Sequence, residues 1–139
     1  MINQLTVFLE NSEGRLSALC RTLADNNINM SMLTIAEVAD YGLVRIICSD
    51  TARAVDVLDQ AGFRAMSTKV VAVEVPNRPG GLADLLEALE ELKCNIEYGY
   101  CFNIDENRSV DVFKVDCPER AADIIEQAGF NLISQDELA

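Results

Sequence analysis

The sequence predicts an α+β protein built from two ferredoxin-like βαββαβ modules in tandem. The first observation is an internal repeat: Glu13–Leu16 aligns with Pro79–Leu82 at an offset of 66 residues, and Gln60–Phe63 recurs as Gln127–Phe130 at an offset of 67. The second is that strand-like and helix-like periodicities follow one another in the same order in both copies. The change of offset indicates one inserted residue in the second copy, near Asp105–Arg108.

In the first copy, apolar residues alternate from Leu5 to Leu9, which predicts a strand. A helix follows, because Leu16, Leu19, Cys20 and Leu23 have the i, i+3, i+4, i+7 spacing of an apolar helix face. The remaining predicted elements are hairpin strands at Met30–Glu37 and Leu43–Cys48 with a turn at Asp40–Gly42, a helix from Ala52 to a capping Gly62, and a strand at Arg64–Thr68.

The second copy repeats this order. Its predicted elements are a strand at Val70–Val75, a helix carrying Leu82, Leu85, Leu86 and Leu89, hairpin strands at Ile96–Asn103 and Ser109–Val115, a helix from Pro118 to Gly129, and a strand at Leu132–Gln135. Each module is expected to form an antiparallel sheet of order 4-1-3-2 with both helices on one face. The expected modules are residues 1–68 and 69–139, separated only by a polar break at Ser67–Lys69.

The charge balance excludes several classes of partner. The chain has 23 acidic and 11 basic residues, a net charge of -12. Such a surface repels nucleic-acid phosphates and anionic lipid, so neither nucleic acid nor membrane is an expected partner. No apolar run reaches the roughly 20 residues of a membrane span. The first residues show no signal-peptide pattern, and a cytoplasmic protein is therefore expected.

The sequence predicts no catalytic residue, no metal ligand and no cofactor. Histidine, the commonest general base and zinc ligand, is absent from the sequence. The five cysteines, which form no C-x-x-C pair, are interpreted as small buried hydrophobic residues in a reducing compartment. Iron–sulfur ferredoxins and metallochaperones need closely spaced cysteines, and an RNA-recognition module needs a basic sheet face. A phosphate-cleaving enzyme using Arg15 with Asn29 would need an equivalent in the second loop, where position 81 is glycine.

The loops between the first strand and first helix of each copy are the candidate sites. They run from Glu10 to Leu16 and from Pro76 to Leu82. Glycine lets a ligand approach the backbone, and the free N–H groups of a helix start attract a carboxylate or phosphate. The alternative is that Pro79-Gly80-Gly81 only makes a tight turn into a helix.

The second copy resembles the ACT domain family. The resemblance rests on the strand Val73–Val75, the loop Asn77-Arg-Pro-Gly-Gly-Leu82, the helix leucines, and Cys94-Asn-Ile96 at the start of the second strand. The first copy is similar but has Glu13 where the family often has proline and Asn29-Met30 in place of Asn-Ile. Both copies together cover almost the whole chain, without a fused enzyme.

The resemblance implies a regulatory, non-catalytic protein that binds a free amino acid where two modules meet. The ligand-binding residues that it implies are Asn11, Gly14, Arg15, Leu16 and Asn29 in the first copy, and Asn77, Pro79, Gly80, Gly81, Leu82, Asn95 and Ile96 in the second. A homodimer and an unidentified metabolic enzyme are the expected protein partners. The alternative is an adaptor subunit of a metabolic enzyme that mediates oligomerisation without a ligand.

Overall fold

A computed structural model, which describes residues 1–38, 40–91 and 93–138, divides into two compact units. The first unit contains Asn3–Thr68 together with the C-terminal helix, and the second contains Lys69–Ser134 together with Met1 and Ile2. Both units have the predicted α+β, ferredoxin-like architecture. Their limits differ from a division into 1–68 and 69–139 only at the two chain termini.

The first unit has the predicted sheet order. Its elements are β1 (Ile2–Glu10), α1 (Arg15–Asp25), β2 (Met30–Val38), β3 (Tyr41–Cys48), α2 (Thr51–Gln60) and the beginning of β4 (Arg64–Pro76). The strands lie in the order β2-β3-β1-β4, which is 4-1-3-2 in the numbering of one module. Within β2–β3–β1, pairing is antiparallel, with Leu5 opposite Ile46 and Leu33 also opposite Ile46.

The second unit repeats the arrangement. Its elements are the end of β4, α3 (Gly81–Glu90), β5 (Ile96–Asn103), β6 (Arg108–Val115), α4 (Pro118–Gln127) and β7 (Asn131–Leu132). β4 pairs antiparallel with β6 and β7, and β6 pairs antiparallel with β5, so the order 4-1-3-2 holds here as well. None of the helices in the described part of the chain is long and apolar enough to cross a membrane.

The helix faces predicted from the sequence form the two cores. In the first unit, Leu19, Leu23 and Leu58 are fully buried against Val7 and Ile46. In the second, the core includes Val71, Val73, Leu85, Leu89, Phe113, Val115 and Ile125. In each unit, the branched residues of the strands and the leucines of the helices thus bury their apolar surface in one core. This burial is the main stabilising contribution to each unit.

Two predictions at the element boundaries are wrong. Ser67–Lys69 does not separate two strands, because β4 is one continuous strand from Arg64 to Pro76. The Thr6 and Thr68 hydroxyls hydrogen-bond at 2.9 Å, so polar residues are accommodated inside this strand. The final strand is also shorter than predicted: β7 has two residues, Asn131 and Leu132.

The residues after β7 form a short helix, α5 (Gln135–Leu138), that belongs to the first unit. The Gln135 side chain accepts a hydrogen bond from the Asn3 N–H at 2.7 Å and donates one to the Cys48 carbonyl at 3.4 Å. Leu138 is buried. A glutamine amide with two backbone partners and one buried leucine therefore attaches the end of the chain to the first unit.

The interpretation of all five cysteines as free thiols is wrong. Cys94, just before β5, and Cys117, just before α4, form a disulfide within the second unit. Cys20, Cys48 and Cys101 are free, and only Cys48 is fully buried. The fold brings the ends of two elements together that the sequence separates by 23 residues, and spacing along the chain does not reveal such a pair.

Asp111 is a buried acid in the sheet of the second unit. It is 4 % exposed and pairs with Val73, where the first unit pairs Val44 with Val7. Because β-strand side chains alternate, it faces the same side as Phe113 and the helices. Burial raises the pKa of the Asp111 carboxyl, since the charged form is desolvated there.

We expect Asp111→Asn to raise the free energy of unfolding at pH 7 by about 1–2 kcal/mol. A carboxyl whose pKa is raised on folding stabilises the fold while protonated, and this stability is lost as the pH rises through the folded-state pKa. The gain should therefore vanish below the ordinary aspartate pKa of about 4. Urea denaturation from pH 3.5 to pH 8 measures it, with the exposed Asp123→Asn as control. A gain that does not depend on pH would contradict this account.

Candidate functional site

A cavity of about 320 Å³ lies in the first unit, at the end of its central strand. This volume is in the range of small-molecule sites. We call it the first cavity. It is lined by Phe8, Leu9, Glu10, Arg15, Tyr41, Gly62, Phe63 and Arg64.

Strand register brings these residues together. Glu10 ends β1 opposite Tyr41, the first residue of β3. β4 is the neighbour of β1 on its other side and begins at Arg64, directly after the α2–β4 connection. Gly14 then has a φ of 85°, a left-handed conformation that glycine adopts at low cost, and turns the chain so that α1 begins at Arg15.

Two arginines and three aromatic rings dominate the first cavity. The Arg15 guanidinium lies 4.3 Å from the centre of the Phe63 ring, and that of Arg64 lies 5.0 Å from the centre of the Phe8 ring. Tyr41 packs on Phe8, with ring centres 5.8 Å apart. Cation–π contacts hold an arginine in place without consuming its hydrogen-bond donors.

In the described part of the chain, neither Arg15 nor Arg64 forms an ion pair, so no carboxylate of the protein neutralises either charge there. The Arg15 Nε is buried and has no hydrogen-bond partner among the described residues. A buried donor without a partner costs free energy, and an anion such as a carboxylate would relieve that cost. Glu10 provides a negative charge in the same cavity.

The second unit has a corresponding cavity of about 290 Å³, which we call the second cavity. It is lined by Glu74, Pro76, Asn107, Arg108, Gly129, Phe130 and Asn131. Pro76 pairs with Arg108 as Glu10 pairs with Tyr41, and Gly129-Phe130 repeats Gly62-Phe63. The two cavities therefore occupy equivalent places in the repeat.

The chemistry of the second cavity differs because its arginine is already paired. Arg108 lies 2.7 Å from the Asp105 carboxylate and 3.7 Å from that of Glu74. The hydrogen bond to Asp105 raises the pKa of Arg108, and the Asn107 N–H together with Arg108 lowers the pKa of Asp105. The residue equivalent to Arg15 is Gly81. A ligand carboxylate would have to displace a carboxylate of the protein here.

The residues predicted in the first loop have different positions and roles. Arg15 lines the first cavity, and Gly14 forms the turn that places it there. The Arg15 backbone N–H donates a long hydrogen bond of 3.4 Å to the Ser12 carbonyl within the turn, so this donor already has a partner. Asn11 is exposed, and Leu16 is 36 % exposed. Of the first-loop set, only Arg15 lines this cavity.

The residues predicted in the second loop mainly build the loop itself. Asn77 attaches it to the β5–β6 hairpin, because its N–H donates to Asn107 and its side-chain amide donates to Glu106. A side chain at Gly81 would overlap the Pro76 carbonyl oxygen, so close packing requires glycine there. The Gly81 N–H also donates to Arg78. Pro79, Gly80 and Leu82 are at the surface or in the turn and do not line the second cavity.

Asn29, Asn95 and Ile96 lie at the other end of the sheet within each unit. Asn29 precedes β2, which begins opposite Cys48, whereas the first loop follows the end of β1 opposite Tyr41. An eight-residue strand separates the two ends by roughly 25 Å. The Asn95 N–H is bound by the Asp116 carboxylate at 3.0 Å. Within one unit, therefore, the loop after the central strand and the asparagine before the second strand are too far apart to contact the same small ligand.

Seven of the eight residues that line the first cavity are not among the predicted ligand-binding residues. They are Phe8, Leu9, Glu10, Tyr41, Gly62, Phe63 and Arg64. One signal was present, because Gln-Ala-Gly-Phe recurs at the end of the second helix of each copy. That recurrence marked the repeat, but it also marks the aromatic wall that each copy places beside its first loop.

Comparisons with known proteins agree with this architecture. The sequence model of the ACT domain pair family matches residues 1–139. The crystal structure of protein BT0572 from Bacteroides thetaiotaomicron is 36% identical, covers 98% of this chain and 94% of that chain, and has a TM-score of 0.92. The ligand-free regulatory subunit of aspartate kinase from Thermus thermophilus is 16% identical, covers 91% and 92% of the two chains, and has a TM-score of 0.67. The corresponding subunit from Thermus flavus is 18% identical, covers 91% of both chains, and has a TM-score of 0.62. No curated protein matches the sequence.

We expect Gly81→Ala to lower the free energy of unfolding by about 1–3 kcal/mol, because the added methyl group displaces the Pro76 carbonyl from a packed turn. Arg15→Ala, at the same position of the first copy, should cost less, since that backbone already accommodates a side chain. Urea denaturation of both variants measures the difference. Equal stabilities for Gly81→Ala and the unmodified protein would contradict the close packing of this loop.

Proposed function

This chain belongs to the ACT domain pair family, and on that premise we propose that it is a non-catalytic regulatory protein that binds a free amino acid in the first cavity. The observation that carries this proposal is the pair of arginines, Arg15 and Arg64, which line the cavity beside Glu10 without an ion pair among the described residues. A free amino acid carries both a carboxylate and an ammonium group, and these charges match the two sides of the cavity.

The binding mode follows from the donors and acceptors of the cavity. The ligand carboxylate binds the guanidinium groups and gives the buried Arg15 Nε an acceptor. The Glu10 carboxylate binds the ammonium group. The ligand side chain packs against the rings of Phe8 and Phe63, which their arginines already hold in position. Charge-assisted hydrogen bonds at both ends select for an amino acid over a simple carboxylic acid.

The second cavity is the weaker of the two in this proposal. Its only lining arginine is held by Asp105 and Glu74, so binding there requires the exchange of one carboxylate for another. The first cavity therefore fills at lower ligand concentration. Asn77 and Gly81 build the loop beside the second cavity, through the hydrogen bonds of Asn77 to the β5–β6 hairpin and the close packing of Gly81 on Pro76.

We further propose that the protein acts in the cytoplasm as a homodimer and controls a metabolic enzyme. Two similar structures are regulatory subunits of aspartate kinase, which supports an enzyme as the partner. Apolar side chains on the β2–β3 hairpin, Ile35 and Val38, are half exposed and suit a contact between copies. The alternative, a ligand-independent adaptor, is favoured by the exposed Leu82 and Leu86 on one helix.

We expect a thermal-shift screen of the twenty amino acids to identify a ligand. A ligand at a hundredfold excess over its Kd stabilises the folded state by about 2.7 kcal/mol. For a chain of this length, that raises the melting temperature on the order of 10 °C. Arg15→Gln and Arg64→Gln should each abolish most of the shift, because each removes a carboxylate partner and leaves the fold unchanged.

The control is Arg21→Gln, which removes one positive charge from the exposed face of α1, outside the cavity. It should retain the full shift. Loss of the shift in all three variants would assign the effect to overall charge. If no amino acid raises the melting temperature at millimolar concentration, the proposal fails and the adaptor alternative is preferred.

A further inference from the structure

The disulfide of the second unit occupies positions that have other residues in the first unit. Cys94 takes the place of Ile28, which is buried in the first core, and Cys117 takes the place of Asp50. The Asp50 carboxylate caps α2 by accepting the Arg53 N–H at 3.1 Å. Cys117 precedes α4 without any such side-chain cap.

Equivalent hydrogen bonds form at this place in both units. In the first, the Asn29 N–H donates to the Ser49 hydroxyl at 3.2 Å and the Ser49 N–H donates to the Asn29 carbonyl at 3.0 Å. In the second, Asn95 and Asp116 form the equivalent pair at 3.0 and 3.3 Å. The first unit makes this contact without a disulfide, so the fold of a unit does not require one there.

The surroundings of the two sulfur atoms suit thiol–disulfide exchange. Both cysteines are partly exposed, so a small thiol can reach them. Cys117 lies at the start of the ten-residue helix α4, where the helix dipole stabilises a thiolate. The Cys94 sulfur lies 3.1 Å from the Asp116 carboxylate, which disfavours a second thiolate. By contrast, burial raises the pKa of the Cys48 thiol, so that cysteine stays protonated and inert.

We propose that Cys94 and Cys117 are a reversible redox modification site, in which a disulfide forms and breaks by exchange with a low-molecular-weight thiol such as glutathione. The Cys117 thiolate attacks the glutathione disulfide, forms a mixed disulfide and releases one glutathione thiolate. Cys94 then attacks the Cys117 sulfur, loses its proton and releases the second glutathione. The protein loses two hydrogens, and one glutathione disulfide becomes two thiols.

The bond links the turn before β5 to the start of α4. That turn contains Lys93, whose φ of 55° is unusual for a residue with a side chain, and it leads to Asn95 and Ile96. These two residues and Cys94 form one wall of a groove of about 530 Å³ beside α3. Oxidation fixes this wall and reduction releases it. The site is separate from the first cavity, and its operation does not depend on the proposed function.

The Asp116 carboxylate and the two sulfur atoms also lie within 4.8 Å of one another, a spacing that a metal ion could bridge. The sulfur atoms are bonded to each other, and a disulfide is not a thiolate ligand. Only the reduced protein could hold a metal here. Zinc is therefore the alternative that the experiment must separate from the redox site.

The experiment equilibrates the 139-residue chain, freed of metal, in glutathione buffers of graded thiol-to-disulfide ratio. Free cysteines are trapped with N-ethylmaleimide in denaturant and counted by intact mass and peptide mapping. We expect three alkylated cysteines at the oxidising end, Cys20, Cys48 and Cys101, and five at the reducing end. The midpoint of the transition should be the same whether the protein starts in the oxidised or in the reduced form. The oxidised form should melt roughly 10 °C higher, with slower hydrogen exchange at 93–97.

Variants separate a switch from a structural bond. Cys94→Ser with Cys117→Ser should remain folded, melt like the reduced protein and show no transition, whereas Cys101→Ser should keep the transition. The proposal is overturned if Cys94 and Cys117 are alkylated at every ratio, if their bond resists excess native thiol, or if the double variant does not fold. It is also overturned if one equivalent of Zn²⁺ binds the reduced protein and prevents the disulfide in oxidising buffer.

Discussion

The antiparallel register of the central strand in each unit determines where everything else lies. Pairing of β1 with β3, and of β4 with β6, places the loop after the central strand beside the end of the hairpin. The adjacent fourth strand brings the end of the second helix to the same place. A slip of one residue would turn the core side chains of these strands away from the helices, so the cores fix this register. Within each unit, the same register places the start of the second strand, β2 or β5, at the opposite end of the sheet from this loop.

Duplication has kept this framework while changing the side chains on it. At equivalent positions, Arg15 corresponds to Gly81, Tyr41 to Arg108 and Arg64 to Asn131. The first unit therefore has two arginines on aromatic rings, and the second has one arginine held by carboxylates. At the opposite end, the second unit has a disulfide where the first has an aliphatic side chain and a helix cap. Each copy thus supports different chemistry at both ends.

The sequence predicts the architecture well because the patterns behind it are local. Apolar spacing identifies α1 and α3, and the recurrence of Gln-Ala-Gly-Phe places the second helices in register. The continuity of β4 and the attachment of Gln135 are not predictable this way, since both depend on partners distant in the chain. The same limit applies to the site. Arg15 is predictable from the sequence because its loop is recognisable, whereas Phe63 and Arg64 are near it only in three dimensions.

The most direct test of the account is an NMR titration of isotope-labelled protein with the twenty free amino acids, observing the Arg15 Nε–H and the Phe8 and Phe63 rings. The resonance of an N–H that gains a carboxylate acceptor moves downfield, so we expect a saturable shift of Arg15 Nε–H together with both rings for at least one amino acid. Shifts confined to Arg108 and Phe130, or saturable binding that leaves Arg15 unchanged, would contradict the claim that the first cavity is the ligand site.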